Sequence, residues 1–463
     1  MRIRWTDLLL TAAIAAAVPG AAVAEDENLR RDMEEMRNMI LQLQDTVQAQ
    51  SGQIEQQREV IDRAGIEDVR LDGSGSAVSS FLQDIEVNGW LSFTYFINSN
   101  DLDNDELGTN CAGGPNPCGN IGIPFAGTDD NSFTFQQLWF EIGKPATRES
   151  RAGFFTEIAF GRDAATLGNA GGFGGGDNLY LNSAYIEYLA SLGDFDITFK
   201  AGKFGTLIGY EVAQAPYNFN ITRGNVYNRL QPITHVGILA SMDLPAGFDI
   251  TLGVVNNPNI APLGTGGLAP QADGNDNKTF IGHLGYTAES WSVSLNGLVG
   301  GTNGGDEEPN YGILDLIVEA TPIEGLTLVM NADLVTGDND SNTNLVVGPL
   351  EDSDPNAWGV ALTANYDWTE RFATAMRYEF VDDDGNVFAC SRAPNLVENE
   401  CQIHSLTGTV AYALTDDLKV RGEVRWDHAD IKGFSDQSVY NDSAGPQSDE
   451  KQILWGVEAI YEF

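Results

Sequence analysis

From Ile85 onward the chain alternates apolar and polar positions in short runs, the period of a strand with one apolar face. "IEVNGWLSFTYFI" puts Ile85, Val87, Leu91, Phe93, Tyr95 and Ile97 on one face, and "LTLVMNADLV" does so with Leu326, Leu328, Met330, Ala332 and Leu334. In "LKVRGEVRWDH" Leu418, Val420, Val424 and Trp426 oppose Lys419, Arg421, Glu423, Arg425 and Asp427. The segment "KQILWGVEAIYEF" carries Ile453, Trp455, Val457, Ala459, Tyr461 and Phe463 as one stripe. Sixteen strands are predicted, near 85–97, 132–143, 152–161, 180–190, 194–203, 232–243, 247–256, 278–288, 291–300, 311–321, 326–336, 357–367, 371–381, 402–414, 417–428 and 451–463.

Their connections alternate in length. The short ones are "KPATRESR", "ASLG", "LPAG", "AES", "PIEG", "DWTE" and "LTDD". The long ones are Asn98–Asn131, Arg162–Leu179, Phe204–Gln231, Asn257–Asn277, Gly301–Asn310, Gly337–Asn356, Asp382–Cys401 and Ala429–Glu450. Seven short turns and eight long loops define an even up-and-down meander with both ends on the short-turn side. Short turns on one rim and long loops on the other mark a bacterial outer-membrane barrel. Hydrocarbon offers backbone groups no partner, so a strand-built spanning protein has to close on itself. The predicted fold is therefore an all-β, 16-stranded antiparallel transmembrane β-barrel over residues 85–463, its outer face apolar and its lumen polar.

A different period precedes it. With Met33, Ile40, Val47, Ile54 and Ile61 at heptad position a, position d holds Leu29, Met36, Leu43, Gln50 and Gln57. That pattern predicts an N-terminal α-helical coiled-coil stalk over 25–64, with a helix lying on the barrel as the alternative. Residues 65–84, including "LDGSGSAVSS", read as a linker. Residues 1–24 have a basic start at Arg2 and Arg4, an apolar run and Ala22-Val23-Ala24, the pattern of a signal peptide cleaved before Glu25.

Charge narrows the partners. Of 463 residues 67 are acidic and 25 basic, a net charge of -42, which opposes binding to nucleic acid. Four cysteines fall in two local pairs, Cys111 with Cys118 and Cys390 with Cys401, most simply two loop-closing disulfides in an exported protein. No metal site or other cofactor is expected. Asp338, Asp340 and Asn342 imitate the start of a calcium loop, but its later positions are missing, so any divalent cations would be loop-bound. The histidines are His235, His283, His404 and His428, and none lies in a nucleophile motif, so no catalytic residue is assigned.

Sixteen strands enclose a water-filled channel, and the expected activity is passive diffusion of small hydrophilic solutes and ions. The candidate pore residues are basic: Arg371, Arg377, Lys419, Arg421 and Arg425 fall on predicted lumen-facing positions of two nearby strands. They form either an electrostatic wall or lumen ion pairs with Glu379, Glu423 and Asp427. The third long loop, "FGTLIGYEVAQAPYNFNITRGNVYNRLQ", is poor in acid where its neighbours are rich in Asp. Folding into the lumen suits that composition, and would bring Glu211, Arg223 and Arg229 to the solute path.

Around that loop the chain resembles the OmpL-like β-barrel porin family. The matching positions are Gly202, Lys203, Phe204, Gly205, Gly209, Tyr210, Glu211, Arg223, Thr234, His235 and Gly237. The resemblance implies an outer-membrane location and pore activity, with a homotrimer the usual assembly of general porins. Outer-membrane lipid and lipopolysaccharide would be its surroundings. The Arg/Lys-rich funnel of phosphate-selective porins is absent from these acidic loops. The alternative function is structural, a stalk that spaces or tethers the envelope, with peptidoglycan as partner.

Overall fold

A computed structural model describes residues 85–99, 131–169, 179–193, 195–256, 278–300, 311–337, 356–384, 400–430, 434–441 and 445–463. The chain divides into two units, Met1–Gln83 and Asp84–Phe463, and every described residue belongs to the second. The signal peptide, coiled coil and linker read from the sequence lie outside the described residues, as do Cys111, Cys118, Cys390 and the segment from Asp338 to Asn342.

Sixteen antiparallel strands close a barrel. In chain order they are β1 (Glu86–Asn98), β2 (Ser132–Lys144), β3 (Ala152–Phe160), β4 (Leu179–Leu192), β5 (Phe195–Gly205), β6 (Thr234–Asp243), β7 (Phe248–Val255) and β8 (Thr279–Thr287). They continue with β9 (Trp291–Gly300), β10 (Tyr311–Ile323), β11 (Leu326–Gly337), β12 (Asn356–Asp367), β13 (Phe372–Asp384), β14 (Glu400–Ala413), β15 (Leu418–Ala429) and, after a two-stranded insertion, β18 (Lys451–Glu462). The insertion is a separate hairpin of β16 (Phe434–Asn441) and β17 (Gly445–Asp449) in the last long loop.

Each barrel strand pairs with its chain neighbour until β18 meets β1, with Trp90 opposite Glu462 and Asn98 opposite Leu454. Gly89 and Phe463 exchange both backbone bonds, at 3.0 and 2.9 Å. Closure leaves no sheet edge, the condition for a strand to lie in lipid. Phe93, Leu252, Met376, Val424 and Val457 turn outward and are exposed. Aromatic residues crowd the short-turn rim, with Tyr286 against both Phe248 and Trp291 and Tyr366 against Trp368. Phe133 and Trp358 stand near the other rim. Such girdles sit where hydrocarbon gives way to water.

Three local features differ from expectation. The second long loop contains a helix, α1 (Arg162–Asn169). Strand β14 starts at Glu400, so Cys401 is a buried strand residue in a disulfide rather than a loop residue. Arg371 is not on the lumen wall: it is exposed in the turn before β13. Thr369 closes that turn by accepting from the Arg371 and Phe372 N–H groups at 3.2 and 3.0 Å, which delays the strand to Phe372.

Candidate functional site

The third long connection, residues 206–233, enters the barrel between β5 and β6 and is called L3 here. It holds a short 3-10 turn, Ala215–Tyr217, and a helix, α2 (Asn225–Leu230). Two apolar contacts draw it inward. Ile208, Val226 and Leu230 join Phe204 in packing on inward-facing Leu239, Ile281, Leu298, Ile313, Val335, Val381 and Ile403. Nearer the closing seam, Ala213, Ala215 and Tyr227 cluster with Trp90, Trp139, Leu167 and Ile460, and the two indoles stack at 5.4 Å. Each large apolar side chain so buried stabilises the inward position by roughly 1.5–3 kcal/mol.

Polar contacts then fix the path. Gly209 N–H donates to Asp315 at 3.0 Å and Tyr210 N–H to Asn331 at 3.2 Å, both on the β10–β11 wall. Gln137 of β2 donates to the Ala213 carbonyl and accepts from Ala215 N–H, at 2.8 and 3.1 Å. Three strands round the wall from β2, Glu423 of β15 accepts from Ile221 N–H, Thr222 N–H and the Thr222 hydroxyl, at 2.6, 3.0 and 2.6 Å. The free N–H groups at the start of α2 point at carboxylates, Gly224 to Glu211 at 2.7 Å and Val226 to Glu379 at 3.1 Å, the partners a helix N-terminus prefers. A Cβ on Gly224 would fall 2.1 Å from Glu379, so only glycine permits this approach. Every barrel strand has at least one inward side chain no more than 9% exposed, from Ser92 on β1 to Glu458 on β18. At this height the lumen holds packed protein, not an unobstructed water column.

The basic residues read from the sequence meet here, but as paired groups. Arg377 pairs with Glu211 and, at 3.1 Å, with Glu379, and it donates to the Thr222 carbonyl at 2.8 Å. Arg421 pairs with Glu458 at 2.7 Å and donates to the Asn218 carbonyl at 2.6 Å. Arg425 pairs with Asp427 at 2.9 Å and donates to the Arg223 carbonyl at 2.8 Å. Arg223 folds back onto the carbonyls of Val212, Ala213 and Ile221. Arg229 is half-buried on α2 and bonded to Asn225 at 3.1 Å, and burial, with Arg425 nearby, pulls its guanidinium down to about 10, still a cation at neutral pH. Glu211 is pushed up by burial, against the pull of Arg377. Lys419 stands apart near the short-turn rim, half-exposed and 3.7 Å from Glu462. Of the two readings of the basic residues, the geometry is that of lumen ion pairs.

Helix α1 also enters the lumen. Ala164 and Leu167 are buried in the seam cluster, and Asp163 accepts bonds from Gln136 and Gln137. Burial pushes the Asp163 carboxyl up to about 6, although Arg223 and the two amides oppose it. Protonation therefore favours the docked helix. Stabilisation on the order of 3 kcal/mol is fully present below the ordinary value of 3.8 and is lost as pH rises through about 6. Hydrogen exchange across 162–169 should accelerate between about pH 4 and pH 7 beyond its intrinsic dependence, and Asp163→Asn should abolish that excess.

The residues carrying the family resemblance are the ones that fold L3. Gly202, at φ +138°, approaches the Ala184 carbonyl so closely that a Cβ would lie 2.3 Å away. Lys203 rests over the Tyr180 ring at 4.1 Å, and His235 meets the Thr206 hydroxyl at 3.0 Å. What sequence reasoning missed was α1 and the inward apolar belt. The belt's trace is visible in "YGILDLIV", where both faces of β10 are apolar.

A family model described as "Putative beta-barrel porin-2, OmpL-like" matches residues 84–463. No functionally curated protein matches the chain. Among solved structures, an anion-selective porin from Comamonas acidovorans is similar, with 13% identity, a TM-score of 0.51, and coverage of 82% of this chain and 99% of that one. The trimer form of OmpT from Vibrio cholerae gives 12% identity and a TM-score of 0.50, covering 82% and 99%. The outer membrane channel DcaP of Acinetobacter baumannii gives 11% and 0.50, covering 82% and 97%. At these identities the likeness is one of fold.

Proposed function

The chain belongs to the OmpL-like β-barrel porin-2 family and is an outer-membrane porin, and from that premise we propose that L3 sets what passes. The observation that carries this reading is L3 itself, bonded to walls on opposite sides of the lumen, at Asp315 of β10 and at Gln137 of β2. Solutes would move past L3 through a narrow path and be limited to small hydrophilic molecules and ions. Arg377, Arg421 and Arg425 each have a carboxylate partner, so these three leave little net positive field. Toward the short-turn mouth, Glu86, Asn88, Glu141, Lys144 and Glu187 line a cavity of about 190 Å³, where carboxylates outnumber the cation. Cation preference follows from that imbalance.

Planar-bilayer recording tests both parts. Stepwise conductance with a cation-selective reversal potential in a salt gradient is expected, and purified protein that never conducts would end the reading. Arg421→Ala frees Glu458 and should move the reversal potential further toward the cation limit. We further propose a homotrimer, of which the Vibrio cholerae relative offers a trimer form, carried by a periplasmic coiled coil over 25–64 after removal of 1–24. Mass determination of the detergent complex checks the subunit count. Family membership does not favour the envelope-tether alternative.

A further inference from the structure

The inward face of the β1–β4 wall leaves one carboxylate short of partners. Glu141 of β2 is 9% exposed, and its side chain is bonded only by the Tyr217 hydroxyl, at 3.3 and 3.4 Å from its two oxygens. A hydroxyl that serves an oxygen well lies near 2.7 Å, and its one proton serves one oxygen at a time. Among the described residues no lysine or arginine pairs with Glu141. Its register partner on β3 is Glu157, a second inward carboxylate, and like charges directly opposite repel. Glu157 is provided for by the Asn182 and Gln214 amides, at 2.8 and 2.7 Å. Glu141 has no such supply.

Glu141 faces the cavity of about 190 Å³ near the short-turn mouth, among Glu86, Asn88, Phe155, Tyr185 and Glu187. A calcium ion asks for six to eight oxygens around it, and here two rings take up much of the lining. Phe155 lies over Gly143, the next inward position of β2 after Glu141, where a Cβ would fall 2.8 Å from the ring. The Phe155 and Tyr185 centroids are 5.4 Å apart. A carboxylate with ring surface beside it suits an ammonium carried on methylenes.

The same wall already seats a cation of that kind. Lys200 Nζ lies 4.2 Å over the Tyr185 ring and 3.8 Å from Glu187. Ammonium, ring and carboxylate thus meet at the β4–β5 pair. At Glu141 the chain supplies ring and carboxylate, and Lys144, which also lines the cavity, does not pair with it.

We propose that this cavity is a subsite for a primary alkylammonium solute passing through the pore. The ammonium would donate charge-assisted bonds to Glu141, and its alkyl body would lie against Phe155 and Tyr185. Tyr217 belongs to L3, so the seat adjoins the segment that narrows the lumen. The proposal rests on the porin reading and names a class of solute for it.

The probe is n-butylammonium, and its control is tetramethylammonium, which carries the same charge without an N–H to donate. Saturation-transfer NMR follows both on the full chain in deuterated detergent. Butylammonium should bind at least about tenfold more tightly than tetramethylammonium. Glu141→Gln should cost about tenfold or more, and Phe155→Leu a few-fold. The second variant carries the test if the first barrel fails to assemble. Asp367→Asn, which removes a carboxylate from the short-turn end of β12, should leave the affinity unchanged. Equal binding of the two cations overturns the proposal, as does wild-type affinity in Glu141→Gln or in Phe155→Leu. An equal loss in Asp367→Asn would make the effect one of net charge and also overturn it. Conductance is read separately in planar bilayers. A barrel that binds butylammonium but never conducts ends the porin reading and leaves the subsite standing, whereas a conducting barrel indifferent to butylammonium does the reverse.

Discussion

Glu423→Ala is expected to raise single-channel conductance roughly twofold or more, because it removes the carboxylate that holds L3 on the β15 side. That carboxylate takes three bonds from Ile221 and Thr222. Each hydrogen bond to a charged group contributes about 1.5–3 kcal/mol, so their joint loss outweighs thermal energy several times. The wall itself should survive. Arg421 keeps Glu458 as its partner and Arg425 keeps Asp427, and the β14–β15 ladder does not involve the side chain. Planar-bilayer recording of the variant beside wild type decides the matter. An unchanged conductance would mean that residues 218–222 do not border the conducting path.

Arg377→Ala should have the largest effect on stability. The guanidinium sits between Glu211 and Glu379 and also ties down the Thr222 carbonyl. Arg377 and Glu379 are 1% and 0% exposed, so the truncation strands a carboxylate in a site that water hardly reaches. Breaking a buried pair in this way costs about 3–5 kcal/mol. The variant barrel should lose its compact, heat-modifiable form on gels at a lower temperature than wild type. Adding Glu379→Gln should recover part of the loss, because the stranded charge disappears. If the double variant melts no higher than the single one, the charge pair is not what holds that side of the lumen.

The barrel was legible because its cause is local. A lipid-facing strand announces itself every second residue, and the predicted strand at 451–463 matches β18 (Lys451–Glu462) within a residue. Loop length sorted the two rims for the same reason. The interior was less legible because its logic is long-range. Nothing near Arg421 in the chain says that Glu458 will neutralise it, since that pairing depends on β15 and β18 being neighbours. Ile313 and Val335 look like outward residues out of phase until L3 is placed against them. The composition of L3 did predict its inward fold, because its low acid content and its asparagines suit a site of backbone bonds rather than bulk water. Helix α1 left only "RDAATLGN", too short a run to separate from a loop. Arg371 was misplaced by one residue, because the threonine that closes its turn is a matter of geometry rather than period.

The bonds from L3 to β15 join residues about two hundred positions apart, as between Asn218 and Arg421. The strand that closes the cylinder comes later still in the chain. A nascent sheet would thus carry two bare edges and an unfilled interior until synthesis is nearly over. Its export partners would have to shield those edges during transit. Assembly in the bilayer should then end with the stopper settling into a cylinder already curled around it.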